Sequence, residues 1–170
     1  IGYSLGGKVL LKWLGEQGDT ISLASAVAVS VPLQLDLCAT KLDKGFSKLY
    51  RNHLISNLIT YMQNKQLHLK SCSFFDEANK ISQLGNLQAI KSFWEYDDKV
   101  VARLNNFKDV DEYYKLSSSR QYLKKIKIPT KIIQSKDDPF MTDKVLPTEK
   151  ELSPFVHMEI TNTGGHVGFI

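Results

Sequence analysis

Three side chains in this sequence have the types and the order needed for nucleophilic catalysis. Ser4 lies in Gly2-Tyr3-Ser4-Leu5-Gly6, with glycine two residues before and two residues after it. A serine hydroxyl is a weak nucleophile until a base within hydrogen-bond reach takes its proton and a third group orients that base. The G-x-S-x-G spacing supplies a sharp strand-to-helix turn that presents Ser4 Oγ at the carboxyl end of a sheet. The backbone N–H of Leu5, at the start of the helix, can then bind a developing oxyanion. Chance alone gives roughly 0.06 such matches in a chain this long, so the motif gains its weight from partners in the right order.

Those partners follow as acid and then histidine. Asp137-Asp138-Pro139 directly follows an apolar strand pattern at 130–135, where a carboxylate would stand beyond the strand's carboxyl end. Asp138, three residues on from Ser135, is taken as the acid, with Asp137 as the alternative. His166 sits in Gly164-Gly165-His166 after a second strand pattern, and the glycines permit a loop that brings the imidazole to Ser4. His166 is then the base, and the acid fixes its tautomer and stabilises its charged form.

Other chemistry-bearing residues fit less well. His53 and His68 lie on or just past a long helical pattern and read as surface or cap residues, and His157 falls in a strand and reads as outward-facing. No histidine pair has metal-ligand spacing and there is no H-E-x-x-H or C-x-x-C, so neither a metal nor a cofactor is expected. Cys38 and Cys72 have no motif around them and read as buried hydrophobes. Gly2 to Lys8 has the outline of a phosphate loop, but Val9 stands where Ser or Thr is required after the lysine. Phe93-Trp94-Glu95-Tyr96-Asp97-Asp98 suits a substrate pocket or a structural anchor equally well.

These residues need a scaffold. Val9, Leu10, Trp13 and Leu14 recur at helical spacing after the elbow, and Gly15 or Gly18 can end that helix. Ala24 to Val31, closed by Pro32, reads as a buried strand of a parallel sheet. Thr130 to Gln134 and Phe155 to Ile160 are further strands. Between them, roughly 33–127, no comparable strand appears. That stretch predicts a helix from about Phe46 to Gln63, with Phe46, Leu49, Tyr50, Leu54, Leu58, Tyr61 and Met62 along one face, and helical segments near 77–92 and 109–125. The expected architecture is α/β, a parallel sheet flanked by helices with a helical cap inserted at about 33–127.

Composition narrows the alternatives. The 170 residues are 42% hydrophobic and 24% charged, enough for one domain with a core and too balanced for disorder. A net charge of +4 is spread over scattered lysines, with no basic run to suggest a nucleic-acid surface. No apolar stretch reaches the roughly 18 residues of a transmembrane helix. Two cysteines make no disulfide framework, which suits a reducing, cytoplasmic setting.

The chain resembles the YheT-type branch of the α/β-hydrolases, which includes yeast medium-chain ester synthases/esterases and animal abhydrolase-domain phospholipases. The matching stretches are Gly2 to Gly7, Ala26 to Pro32, Lys44 to Ser47 with Tyr50, and Glu95 to Asp98. Asp111 to Tyr114 with Ser117-Ser118, Lys136 to Met141, and Gly164 to Phe169 complete them, in family order over nearly the whole chain. The resemblance implies a serine carboxylic-ester hydrolase acting on short- or medium-chain acyl esters or lipids through Ser4, Asp138 and His166. It also implies a protein about twice this length, whose earlier half holds the first five strands and the loop giving a second oxyanion donor, and whose tail supplies a closing helix. Lys8 departs from the asparagine usual in that family. The lysine-heavy composition suggests an AT-rich bacterial source. An acyltransferase with the same three residues and a non-catalytic binding chain are the rival readings. Membrane association is compatible with a lipid substrate, although no basic amphipathic helix demands it.

Overall fold

The structure, a computed structural model, describes residues 1–169. In chain order the elements are β1 (Gly2–Tyr3), α1 (Ser4–Gln17), β2 (Ala26–Val29), α2 (Leu35–Leu42), α3 (Ser47–Ser71), α4 (Phe75–Ser82), α5 (Phe93–Tyr96), α6 (Val110–Ser117), β3 (Thr130–Ser135) and β4 (Val156–Thr161). They form two compact units, one of residues 1–41 with 114–170 and one of residues 42–113.

The first unit holds a four-stranded, wholly parallel sheet in the order β1-β2-β3-β4. Tyr3 pairs with Val29, Val29 with Ile133, and Ser135 with Thr161, so the carboxyl ends of neighbouring strands stand close together. Parallel strands with helices against them read as continuous apolar runs, and Ala26-Val27-Ala28-Val29 and Ile132-Ile133 are of that kind. Ala28 and Ile132 are fully buried against Leu11 and Leu14 of α1 and against Val31, Leu33, Leu123, Ile126 and Val145.

Of the four residues expected to recur along α1, Leu14 is buried and Leu10 packs against the core, while Val9 and Trp13 are exposed. Gly7, Leu11 and Gly15 complete the inward face. Gly15 is forced by proximity, because a Cβ there would stand 2.4 Å from the Tyr122 carbonyl oxygen. The helix ends at Gln17, and Gly18, at φ +54°, donates its N–H to Leu14 O.

The second unit is helical and has its own core, built from Ile55, Ile59 and Met62 of α3 with Ile81, Leu84, Leu87, Ile90, Tyr96 and Val100. Three corrections arise here. The helical unit covers 42–113 rather than 33–127, because Leu33, Cys38, Leu123 and Ile126 belong to the core of the sheet unit. The long helix runs to Ser71, past the predicted Gln63, and its buried stripe is Ile55–Ile59–Met62, whereas Phe46, Leu49, Tyr50 and Tyr61 are exposed. The segments at 77–92 and 109–125 are broken: α4 gives way near Gly85 (φ +80°), and α6 is followed by a separate 3-10 turn at Arg120–Lys125.

Candidate active site

The elbow is built by close backbone approach. Gly2 ends β1 where a Cβ would stand 2.8 Å from Gly7 Cα, and a Cβ on Gly7 would stand 2.7 Å from Val31 Cγ2. A Cβ on Gly6, the second glycine of the motif, would meet nothing within 4 Å, so the steric demand falls on Gly2 and Gly7. Between them Ser4 adopts φ +46°, the left-handed region that a non-glycine residue enters only under constraint. Leu5 N–H lies among the first four amides of α1, which no preceding helical carbonyl can accept, and points where the helix dipole is positive.

Ser4 Oγ lies 2.9 Å from His166 Nε2, and His166 Nδ1 lies 2.8 Å from Asp138 Oδ2. The arrangement is one hydrogen-bonded chain from hydroxyl to imidazole to carboxylate. Asp138 is 4% exposed, which makes its negative charge effective at short range. Its second oxygen, Oδ1, accepts the Phe140 N–H at 2.8 Å, so neither oxygen is stranded. The Phe140 ring stacks on the imidazole, with centroids 4.2 Å apart and planes 24° apart.

Asp137 does different work. It is exposed, and its Oδ1 accepts the Gly165 N–H at 2.8 Å. That backbone hydrogen bond holds its carboxyl below the usual carboxylate range. Ser135 Oγ donates to Gly165 O at 2.6 Å, and Val167 N–H donates to Ser30 Oγ at 3.0 Å. The histidine loop is thus gripped on both sides of His166. None of Ser30, Ser135 and Phe140 was singled out from the sequence as a site residue. Ser30 and Phe140 do stand inside stretches that match the family, which is the one signal that could have found them.

The remaining candidates lie apart from this cluster. His53, His68 and His157 are exposed, and the His53 ring pairs with Asn57 of α3. Cys38 is buried in the sheet core, and burial, followed by the charges of Asp138 and Asp36, pushes its thiol up to about 12. Cys72 is exposed, against the expectation of a buried hydrophobe, because it sits one residue past the end of α3. Lys8 is buried on α1, one turn after Ser4. Among the described residues, no group of three or more His, Cys, Asp or Glu side chains could hold a metal ion, and no helix is long and apolar enough to cross a membrane.

A parallel sheet, a serine on a strained turn into a helix, and an acid and a histidine beyond later strands define a class. The chain belongs to the α/β-hydrolase fold family, whose model matches residues 1–170. It is 36% identical over 170 residues to the Escherichia coli (strain K12) protein YheT, named as an esterase, covering all of this chain and 48% of that one. It is 28% identical to human phospholipase ABHD3 (99% of this chain, 40% of that one) and 26% identical to the monoacylglycerol lipase of Saccharomyces cerevisiae (99% and 37%). The chain therefore spans about half, or less, of the length of these relatives. Among solved structures, an alpha/beta fold family hydrolase from Bacillus anthracis superposes with a TM-score of 0.50 at 21% identity, covering 99% of this chain and 60% of that one, a likeness of fold.

Proposed function

We propose that this chain carries the catalytic apparatus of a serine carboxylic-ester hydrolase, with Ser4 as nucleophile, His166 as base and Asp138 as the acid that orients it. The observation that supports this most directly is the unbroken hydrogen-bonded chain Ser4 Oγ–His166–Asp138, with links of 2.9 and 2.8 Å, at the end of a strained elbow. Membership of a family with relatives named esterase, phospholipase and monoacylglycerol lipase supports an ester as substrate.

With Asp138 accepting the Nδ1–H, His166 Nε2 is left as the acceptor facing the Ser4 hydroxyl. Ser4 Oγ adds to the ester carbonyl carbon, its proton passes to Nε2, and the carbonyl electron pair moves onto oxygen. Leu5 N–H donates to that oxyanion. Collapse of the tetrahedral intermediate breaks the bond to the alcohol oxygen, which takes the proton from Nε2 and leaves an acyl-Ser4 ester. Water repeats the sequence: its oxygen adds to the acyl carbon, its proton goes to Nε2, and Ser4 departs as hydroxyl, releasing the carboxylic acid.

The same reading gives the helical unit the part of a cap, since it is spliced into the chain between β2 and β3. On the same reading the substrate is a short- or medium-chain acyl ester or a lipid, in keeping with relatives named phospholipase and monoacylglycerol lipase. Two unpaired cysteines fit a cytoplasmic setting. A fluorophosphonate probe should label Ser4, and labelling should vanish in Ser4→Ala. Asp138→Asn should lower kcat toward p-nitrophenyl esters by about 10⁴-fold, through the wrong imidazole tautomer. Absence of labelling in a well-folded wild type would refute the hydrolase reading. Ester synthesis outrunning hydrolysis in the presence of ethanol would turn it into an acyltransferase.

A further inference from the structure

We propose that Ser30 is a positioning residue that sets the distance between His166 and Ser4, an inference that rests on the esterase reading. β1 and β2 pair in parallel with Tyr3 opposite Val29, so the next residue of each strand, Ser4 and Ser30, leaves the sheet at the same level. Both serines adopt the left-handed conformation, φ +46° and +50°. Both hydroxyls then meet consecutive residues of one loop. Ser4 Oγ contacts the His166 imidazole at 2.9 Å, and Ser30 Oγ accepts the Val167 N–H at 3.0 Å.

Val167 is the unusual partner in this pairing. It is β-branched and sits at φ +64°, where a side chain of that shape is a conformational outlier. Such a conformation persists only where the surroundings over-determine it. Ser30 Oγ is the polar group that meets the Val167 amide, and Ser30 is fully buried, held in turn by its own N–H to Ile133 O at 2.9 Å. The grip is therefore anchored in the sheet and not in a mobile side chain. On the other side of His166, Asp137 and Ser135 hold the Gly165 N–H and carbonyl. The imidazole itself is held by Asp138 and the Phe140 ring, and Gly165 turns the loop at φ +54°. Ser30 adds the hold on the residue that follows His166.

A hydroxyl at Ser30 is not what the fold asks of the position. A residue at φ +50° that serves only to turn the chain is best filled by glycine. Ser30→Gly thus separates the two roles, because it relieves the backbone and deletes the acceptor. We expect a folded variant with melting temperature at or above that of the wild type. Its kcat toward p-nitrophenyl esters should fall ~10- to 100-fold while KM stays within about twofold, the loss appropriate to a catalytic group displaced by a fraction of an ångström. Fluorophosphonate labelling of Ser4 should slow by a similar factor, and the Val167 amide should lose hydrogen-exchange protection. Ser30→Ala, which keeps the Cβ, is the second variant should glycine loosen the turn, and the same kcat loss is expected of it. Unchanged kcat in a folded Ser30→Gly or Ser30→Ala, or a change confined to KM, overturns the proposal. A wild type that neither turns over esters nor takes the probe overturns the esterase reading, and the positioning role with it; an active wild type with indifferent variants overturns this inference alone.

Discussion

The two adjacent aspartates show how much a side chain's role depends on which way the backbone turns. Asp137 and Asp138 are neighbours in sequence, yet one is exposed and binds a loop amide while the other is buried and binds an imidazole. Counting from Ser135 pointed to Asp138 as the partner of His166, and spacing could do so because the strand end is a fixed origin. The roles of Ser30, Ser135 and Asp137 were not legible. A hydroxyl or carboxylate beside a loop is defined by its register with chain far away, and sequence carries no such record. The glycines repeat the point: the motif names Gly2 and Gly6, whereas packing demands Gly2 and Gly7. Gly7→Ala should cost on the order of 1–3 kcal/mol in urea denaturation because Val31 must move, and Gly6→Ala should be close to neutral for folding. The cysteines divide as sharply. With its thiol pushed up to about 12 and buried, Cys38 should resist alkylation at pH 8, so a thiol reagent should titrate Cys72 alone until denaturant is added.

At the level of elements, strands were located more closely than helices. β3 and β4 fall within one residue of their predicted bounds, because a short β-branched run ends abruptly at Pro129 or at a polar loop. Helix α3 outran its prediction because the apolar period fades after Met62 while Gln, Lys and Leu remain good helix formers, so the helix continues on propensity. Helix α2 went unseen: eight residues directly after a strand and a proline carry too little periodicity to separate from a loop. Where no strand marks the way, the segment between β3 and β4 is fastened by polar contacts. Glu151 receives a forked pair of hydrogen bonds from Arg120 and also closes a capping box with Thr148. Arg120 first, then Thr148, hold the Glu151 carboxyl down at about 2. A depressed folded value means that this contribution is complete above the ordinary carboxylate range and drains away as pH falls toward 2. Glu151→Gln should therefore be less stable than wild type at pH 6, and the gap should close progressively in denaturation curves taken between pH 4.5 and 2.

The whole molecule is divided in space differently from the way it is written. The sheet unit is assembled from residues 1–41 and 114–170, with the helical unit as one continuous interruption. The α/β class was readable from strand–helix order, since parallel strands need long connections, but the limits of the interruption were not. They depend on which side of a core Leu33, Cys38, Leu123 and Ile126 pack, and an apolar residue fits either. The division predicts the behaviour of a shortened chain. Residues 1–113 retain Ser4 and both β1 and β2, but lose β3 and the buried Leu123, Ile126, Ile132 and Val145. Such a chain should show no cooperative sheet unfolding by circular dichroism and no fluorophosphonate labelling.

The distance along the chain from Ser4 to His166 has a biosynthetic consequence. His166 follows Ser4 by 162 positions, with Asp138 and the entire helical unit in between. A ribosome makes the serine first and the imidazole 162 residues later. Throughout that interval the nascent Ser4 hydroxyl has no His166 imidazole beside it. On the esterase reading, a product stalled or frameshifted before His166 is therefore inert without any inhibitor or processing step.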